Sequence, residues 1–160
     1  MKSIHTEIEI NAPVEKVWSI LTDFKTFPEW NPFVRSITGN VQVGSSFKVV
    51  LQQPGGSSMT FRPKCLVFQK NEEFRWLGHL LFPGIFDGEH IFKLKSLSEK
   101  KTKFVQSENF KGVLVPLFWK QLNTKTLRGF EEMNRAIKTT SSTTTPVGKP
   151  SHCGSVKRPM

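Results

Sequence analysis

The residues of this chain best suited to acid–base chemistry are a histidine and a glutamate, His90 and Glu108. Around His90 the sequence alternates as a β-strand does, which places His90, Phe92 and Leu94 on one face, because successive side chains of a strand point to opposite sides. That face is apolar apart from the imidazole, so we expect it to be internal. An imidazole beside a carboxylate in a site poor in water is an arrangement that general acid–base catalysis uses.

The pairing of two predicted strands decides how close these side chains come. A turn at residues 98–100 predicts an antiparallel hairpin that sets His90 opposite Glu108 and Phe92 opposite Gln106. A slip of two residues would set His90 beside Phe110 and Glu108 beside Phe92, leaving the imidazole and the carboxylate as diagonal neighbours. In either register the carboxylate is on an inner face, where it needs a partner or a proton. Two interpretations follow: the pair catalyses a reaction, or it is a structural hydrogen-bonded pair that orients a ligand.

A stiff aromatic segment, residues 23–34, precedes the strands. Its twelve residues include three Phe, one Trp and two Pro. Pro28 and Pro32 exclude one continuous helix, so we expect a bent connection that either plugs the core or lines the mouth of a pocket. Asn31 is a candidate polar group at that mouth, with the alternative that it caps its own turn.

The remaining sequence predicts a strand, a short helix and then six further strands. Residues 4–10 alternate with a period of two, and a helix start is indicated by Asn11, as its candidate cap, and by Pro13 at the first turn. Short separators between the later runs favour an antiparallel meander, and Pro63 indicates an edge position or a bulge. The six predicted strands are 34–43, 46–52, 59–69, 74–81, 88–97 and 102–111.

One long amphipathic helix is predicted over residues 116–138, where apolar side chains recur at intervals of three and four. Gly129 in its middle costs about 1 kcal/mol relative to Ala, which a close approach to the sheet, or room for something bulky beneath the helix, would offset. Residues 139–160 are polar and rich in Ser and Thr, so we predict a disordered basic tail. The folded domain is therefore predicted to span residues 1–138.

Composition favours one domain with an apolar interior. The 160 residues include 14 Phe and 4 Trp but no Tyr, and the net charge is +10. No Lys/Arg stripe forms a known nucleic-acid-binding motif, so we expect no specific nucleic-acid partner and at most weak peripheral contact with an anionic membrane. Cys65 lies in an apolar, strand-like run and Cys153 lies in the polar tail, so we expect no disulfide between them. No apolar run approaches about 18 residues, and the N-terminus lacks a signal-peptide pattern, so we predict a cytoplasmic protein.

Other kinds of site are not indicated. The four His and two Cys are scattered, without the spacing of a metal site. No glycine-rich phosphate loop or nucleophile elbow is present. We therefore predict no metal and no cofactor. His79 and His5 are out of phase with the apolar faces of their strands and are expected to face solvent.

Six short segments occur in a characteristic order along the chain: 10–18 (INAPVEKVW), 21–23 (LTD), 30–33 (WNPF), 88–92 (GEHIF), 106–112 (QSENFKG) and 129–134 (GFEEMN). Together they resemble the START-like, helix-grip superfamily (SRPBCC) of polyketide cyclase/dehydrase and lipid-transport type. The resemblance covers about residues 3–138 and implies an α+β fold, with a curved seven-stranded antiparallel sheet wrapped around the long C-terminal helix and short helices after the first strand. It also implies a deep apolar cavity between sheet and helix.

Such a cavity makes binding of a hydrophobic lipid-, sterol- or polyketide-like molecule the favoured function, as a carrier or sensor. The first alternative is a polyketide cyclase or dehydratase that uses His90 and Glu108 as its acid–base pair. The second is a basic interaction module with a closed core. The oligomeric state stays open. The candidate ligand contacts, each with core packing or local capping as the alternative, are Trp30, Asn31, Phe33, Trp76, Phe86, Phe92, Gln106, Phe110, Phe118, Leu122 and Phe130.

Overall fold

The computed structural model describes residues 1–143. Its first strand, β1 (Lys2–Ile10), has side chains that alternate between its two faces. Ile4 and Ile10 are buried, whereas His5 and Glu7 are exposed, as the period-two pattern predicts. The prediction of an external His5 is thus confirmed.

The other elements place three short helical pieces before the strands and one long helical region after them. In chain order they are α1 (Val14–Thr22), a 3₁₀ turn (Phe24–Thr26), α2 (Phe27–Trp30), β2 (Val34–Thr38), β3 (Lys48–Gln52), β4 (Ser58–Phe61), β5 (Lys64–Gln69), β6 (Glu73–Leu80), β7 (Phe86–Ser98), β8 (Lys101–Lys111), α3 (Val115–Gln121), a π-helical segment (Leu122–Thr126) and α4 (Leu127–Ser142).

The start of α1 differs from the sequence prediction. Pro13 occupies the N-cap position with an extended backbone, and no side chain caps the helix. Asn11 lies two residues earlier and is exposed, so the prediction that it caps α1 is wrong. An N-cap side chain bonds the amides two or three residues ahead of it, and Asn11 is too far from the helix to do so.

The strands form two antiparallel sheets, and the predicted single seven-stranded sheet is wrong. A large sheet has the order β1-β8-β7-β6-β5, and a small sheet has the order β2-β3-β4. The predicted third strand breaks at Arg62 and Pro63, so that β4 pairs with β3 while β5 pairs with β6. Pro63 lies between two edge strands, where its missing amide hydrogen costs no ladder bond. An isolated bridge between Ser46 and Lys64 joins the sheets beside it.

The hairpin of β7 and β8 has the first of the two predicted registers. His90 lies opposite Glu108, and Phe92 lies opposite Gln106. The inner-face prediction also holds, since His90 and Gln106 are both fully buried. The alternative register, slipped by two residues, is therefore excluded.

The C-terminal helical region covers the inner side of the sheets and extends past its predicted end. It continues to Ser142, four residues beyond the predicted boundary at Lys138. In this last turn the hydroxyl groups of Thr139 and Thr140 each donate a hydrogen bond to the carbonyl four residues earlier. The prediction of a disordered tail is thus wrong for residues 139–142, and residues 144–160 lie outside the described part of the chain.

Gly129 lets the aromatic segment pack against α4. A Cβ at this position would overlap the ring of Phe33, which also packs edge-on against Phe130 at 5.5 Å between ring centroids. Of the two reasons predicted for Gly129, room for something bulky beneath the helix is confirmed, and the bulky group is the Phe33 ring of the aromatic segment, not the sheet. Phe27 and Phe33 are both buried, so this segment mainly plugs the core. Within residues 1–143, no helix combines the length and the apolar character needed to span a bilayer.

Candidate functional site

A cavity of about 250 Å³ opens between the two sheets and the π-helical segment. Four of the predicted ligand contacts, Phe33, Phe86, Phe110 and Leu122, line it together with Glu108. Aromatic and aliphatic side chains thus form most of its wall, and a carboxylate enters it from β8. Small-molecule sites typically combine an apolar lining with a few placed polar groups.

Glu108 reaches the cavity because the neighbouring strand carries a glycine. Its side chain is only 14% exposed, and a Cβ at Gly88 would lie 2.5 Å from the carboxylate Oε1. Any side chain at residue 88 would therefore displace the carboxylate. This pairing of Gly88 with Glu108 has no obvious signature in the sequence, because it depends on the diagonal lean of one side chain across two strands.

His90 lies behind Glu108 and does not line the cavity. Its Nδ1 is 3.5 Å from Glu108 Oε2, and its Nε2 is 3.1 Å from the amide nitrogen of Gln106. The amide N–H₂ donates to Nε2, so the proton of a neutral ring is on Nδ1, facing the carboxylate. His90 therefore faces the Glu108 carboxylate and not the cavity.

Aromatic rings enclose His90 on its other sides. The ring centroids of Trp76, Phe92 and Phe130 lie 4.7, 4.4 and 4.9 Å from that of the imidazole. These three residues and Gln106 are among the ligand contacts that the sequence predicts. They are instead core residues that surround the imidazole, and they do not line the cavity.

A second histidine, His79, lies at the rim of the cavity. Its Nδ1 is 2.6 Å from Asp87 Oδ1, and the backbone amide of Gly84 donates to both oxygens of Asp87. Burial opposes ionisation of Asp87, but these hydrogen bonds outweigh it and hold the pKa of Asp87 below its usual value. The prediction that His79 faces solvent is confirmed, since its side chain is 36% exposed, and its cross-strand contact with Asp87 holds it at the hairpin.

The sequence profile of the polyketide cyclase / dehydrase and lipid transport family matches residues 1–141. The chain belongs to this family. No curated protein matches the sequence. The family spans both cyclases and lipid carriers by its description, so membership is compatible with hydrophobic ligand binding or with cyclase-type chemistry.

Solved structures similar to this member of the polyketide cyclase / dehydrase and lipid transport family support the fold assignment. The ZhuI aromatase/cyclase from Streptomyces sp. R1128 has a TM-score of 0.71 at 12% identity, over 88% of this chain and 93% of that one. A START superfamily protein from Mycobacterium smegmatis has a TM-score of 0.66 at 18% identity, over 86% and 98%. A point mutant of norcoclaurine synthase from Thalictrum flavum, in complex with a transition-state analogue, has a TM-score of 0.65 at 16% identity, over 88% and 93%. At these identities the likeness establishes the fold alone.

Two residues of the aromatic segment do not line the cavity of this family member. Asn31 is fully buried, and its Oδ1 accepts hydrogen bonds from the amides of Phe33 and Val34 at 3.1 and 2.9 Å. It therefore caps its own turn, as the alternative prediction has it. Trp30 packs edge-on against Phe27 at 5.2 Å. Of the predicted contacts at this end, only Phe33 reaches the cavity.

Phe118 lies outside the cavity as well. Its side chain is 37% exposed and packs edge-on against Phe86 at 6.2 Å between ring centroids. Because Phe86 lines the cavity, Phe118 supports one wall from the solvent side.

Sequence reasoning missed the wall that the small sheet supplies. Splitting the third predicted strand brings β4 over β6, where Phe61 packs against Gly78. No residue pattern near Pro63 indicates that the following strand joins another sheet. The lining residues not predicted are Leu51, Gln53, Met59, Thr60, Phe61, Gly78, His79, Leu80, Gly88 and Thr126.

The π-helical segment forms the remaining wall and is tied to the small sheet. The amide nitrogen of Gln53 is 3.4 Å from Thr126 Oγ1, and the amide nitrogen of Gln121 is 3.3 Å from Gln53 Oε1. Single π-helical turns are frequent at functional sites. Here the turn sets Leu122 and Thr126 at the cavity wall.

Metal and thiol chemistry find no support in residues 1–143. No group of three or more His, Cys, Asp or Glu side chains in that range is arranged to hold a metal ion. Cys65 is buried, and this burial raises the pKa of its thiol, which makes it a poor nucleophile at neutral pH.

Proposed function

We propose that this chain binds a small, largely apolar molecule in the cavity and holds the molecule's polar group with Glu108, acting as a carrier or sensor. The observation that carries the proposal is one largely buried carboxylate on an otherwise apolar wall. An ionised carboxylate only accepts hydrogen bonds, so it selects a ligand with a hydroxyl or amine donor. An apolar molecule gains roughly 25 cal/mol per Å² buried, and the carboxylate sets its orientation.

The size of the cavity limits the class of ligand. An engineered cavity of about 150 Å³ accepts benzene, so about 250 Å³ has room for one ring with substituents or a compact two-ring molecule. Sterols and long acyl chains need a wider opening between the sheets. The open cavity counts against the alternative of a basic module with a closed core.

Titration with N-phenyl-1-naphthylamine tests the proposal, because this fluorescent probe is apolar and carries one N–H donor. We expect saturable one-to-one binding that Glu108→Gln weakens and Leu122→Trp, which fills the cavity, abolishes. Val113→Trp adds the same side chain at an exposed position and serves as the matched control. A probe that fails to bind, or that binds the Leu122→Trp variant as well as the parent, would sink the proposal.

A cyclase- or dehydratase-type reaction is the second candidate, and the contact between His90 and Glu108 favours it. In this scheme Glu108 removes a proton from the α-carbon of an enolisable ketone, and His90, as a positioning residue, stabilises the carboxylate from behind. General base catalysis by one side chain contributes roughly 10²–10⁴-fold. Deuterium exchange into a small aromatic diketone, followed by NMR, should slow by at least about 100-fold in Glu108→Gln. An unchanged exchange rate in the double variant His90→Ala, Glu108→Ala would rule out this enzymatic function.

A further inference from the structure

Four large apolar side chains are exposed on two neighbouring segments. Leu81 and Phe82 follow β6 and are 73% and 68% exposed, whereas Val113 precedes α3, Leu117 lies in its first turn, and they are 77% and 74% exposed. We call these four residues the mouth patch. Contiguous exposed apolar surface of this kind marks sites of protein or membrane interaction.

Backbone hydrogen bonds hold the two segments of the mouth patch in fixed positions. The amides of Val113 and Leu114 donate to the carbonyls of Gly84 and Ile85 at 3.2 and 3.0 Å. Gly112, with φ of +127°, packs directly against the carbonyl of Ile85, an approach that a residue with a Cβ could not make. The two segments are therefore held together, and the four side chains project from one surface.

The backbone of Leu81 adds a second sign of function. Its φ is +68°, a left-handed conformation that is uncommon and strained for a bulky residue. Gly or Asn would fit this turn better. Leu81 makes no compensating buried contact, since most of its side chain is exposed.

The mouth patch borders the opening of the cavity. Leu80, next to Leu81, lines the cavity and is itself 47% exposed. On the other segment, Phe118 follows Leu117 and packs against the cavity residue Phe86. Whatever covers the patch therefore also faces the cavity mouth.

Charge decides between the occupants that an apolar patch could take. The two segments that carry the patch, residues 80–86 and 111–120, contain no Asp or Glu and two lysines, Lys111 and Lys120. Lys2 lies over the ring of Trp119 in the same region, at 5.1 Å from the ring centroid. A second copy of this chain would bring lysines against lysines, which disfavours pairing. An anionic lipid surface offers an apolar interior and negative headgroups together.

We propose that the mouth patch inserts into the headgroup region of an anionic bilayer and sets the cavity opening against it. Leu81, Phe82, Val113 and Leu117 enter the interface, and Lys111 and Lys120 lie at the level of the phosphates. The proposal does not depend on what the cavity binds, because the patch lies outside it.

Flotation of the full-length chain with phosphatidylcholine vesicles, with and without phosphatidylserine, tests this. We expect flotation with phosphatidylserine vesicles and about tenfold weaker partition for the double variant Leu81→Asn, Leu117→Gln. Asn tolerates the positive φ at residue 81, so the fold should be kept. The matched control, Val43→Asn with Leu97→Gln, removes two exposed apolar side chains elsewhere and should float as the parent does.

Two further measurements test the lysines and the patch segments separately. Lys111→Glu with Lys120→Glu should reduce partition by about fivefold per residue, whereas Lys100→Glu, in the turn at the far end of β7, should not. Hydrogen exchange of the unaltered chain should slow at residues 80–86 and 112–118 when phosphatidylserine vesicles are added. All variants keep residues 144–160, so any contribution of that basic segment is constant.

Three outcomes would overturn the proposal. The parent chain remains unbound to phosphatidylserine vesicles, or the patch variant floats as well as the parent does. Alternatively, sedimentation velocity finds a dimer that the patch variant loses, which would assign the surface to a second copy of the chain.

Discussion

The Glu108 carboxylate leans across β7 and occupies the space where a side chain at Gly88 would begin, with Oε1 2.5 Å from an ideal Cβ. Glu108 is paired with His90, and Gly88 is paired with Phe110. The carboxylate thus extends from its own partner toward the diagonal neighbour. The absence of a side chain at residue 88 is what gives this acid a path into the cavity.

Gly88→Ala should impair ligand binding more than stability. The methyl group displaces only the end of a flexible side chain, so we expect the free energy of unfolding to change by under about 1 kcal/mol. Affinity for the naphthylamine probe should fall by about tenfold, because the carboxylate no longer meets the ligand. The control is a double-mutant cycle with Glu108→Ala, in which the alanine at residue 88 should have little further effect. Equal losses in both backgrounds would contradict this account.

Gly129→Ala should destabilise the fold, against the usual preference of helices for alanine. Helix propensity gains about 1 kcal/mol, but the new Cβ overlaps the buried ring of Phe33, and overpacking of a core costs about 1–3 kcal/mol. Urea unfolding should therefore report a net loss. Phe33→Leu should cost less in the alanine background than alone, because the ring is then already strained. A stabilised Gly129→Ala protein would show that the helix can shift away from Phe33 without loss.

The imidazole of His90 should carry its proton on Nδ1 when neutral. The amide of Gln106 donates to Nε2, and the Glu108 carboxylate faces Nδ1. Long-range ¹H–¹⁵N correlation spectra of the ring report which nitrogen is protonated. Gln106→Leu should cost about 1–3 kcal/mol of stability, because it leaves a buried acceptor without a donor. A proton on Nε2 would instead mean that the Gln106 amide is rotated, with its oxygen toward the ring.

The pair of His79 and Asp87 should add stability that is lost in acid. Because the pKa of Asp87 is lowered in the folded chain, its contribution is present above the unfolded value of about 3.9 and disappears as the pH falls through the folded value. We expect Asp87→Asn to cost up to about 1 kcal/mol at neutral pH and nothing at the lowest pH at which the chain stays folded. Urea unfolding of both proteins across acidic pH measures the difference. A constant difference at every pH would assign the loss to packing.

Local patterns predicted the hairpin that carries the candidate site. The short turn and the alternation on each side of it exclude a slip by one residue, which would bury charges, and leave two registers, of which the structure has the one that sets His90 opposite Glu108. The position of Gly129 against a bulky group was also accessible, since a mid-helix glycine needs a reason. In these cases neighbouring residues along the chain contain the information.

The features that the sequence did not reveal depend on contacts between distant segments. The break at Pro63 indicates that pairing stops, but the choice of β6 as the next partner depends on the whole sheet. The π-helical segment 122–126 has ordinary helix-compatible residues, and its widened turn is tied to Gln53 on the small sheet.

The passage of the chain from β4 to β5 has a mechanical consequence. The two sheets share a few backbone hydrogen bonds, all near residues 44–47 and 63–65, while side chains such as Phe61 over Gly78 hold them together elsewhere. In a continuous sheet every hydrogen bond along the strands resists bending, whereas at this junction only one short row of hydrogen bonds does so. We therefore expect the angle between the sheets to change more easily than either sheet bends, and this angle to limit the width of the molecules that the cavity can admit.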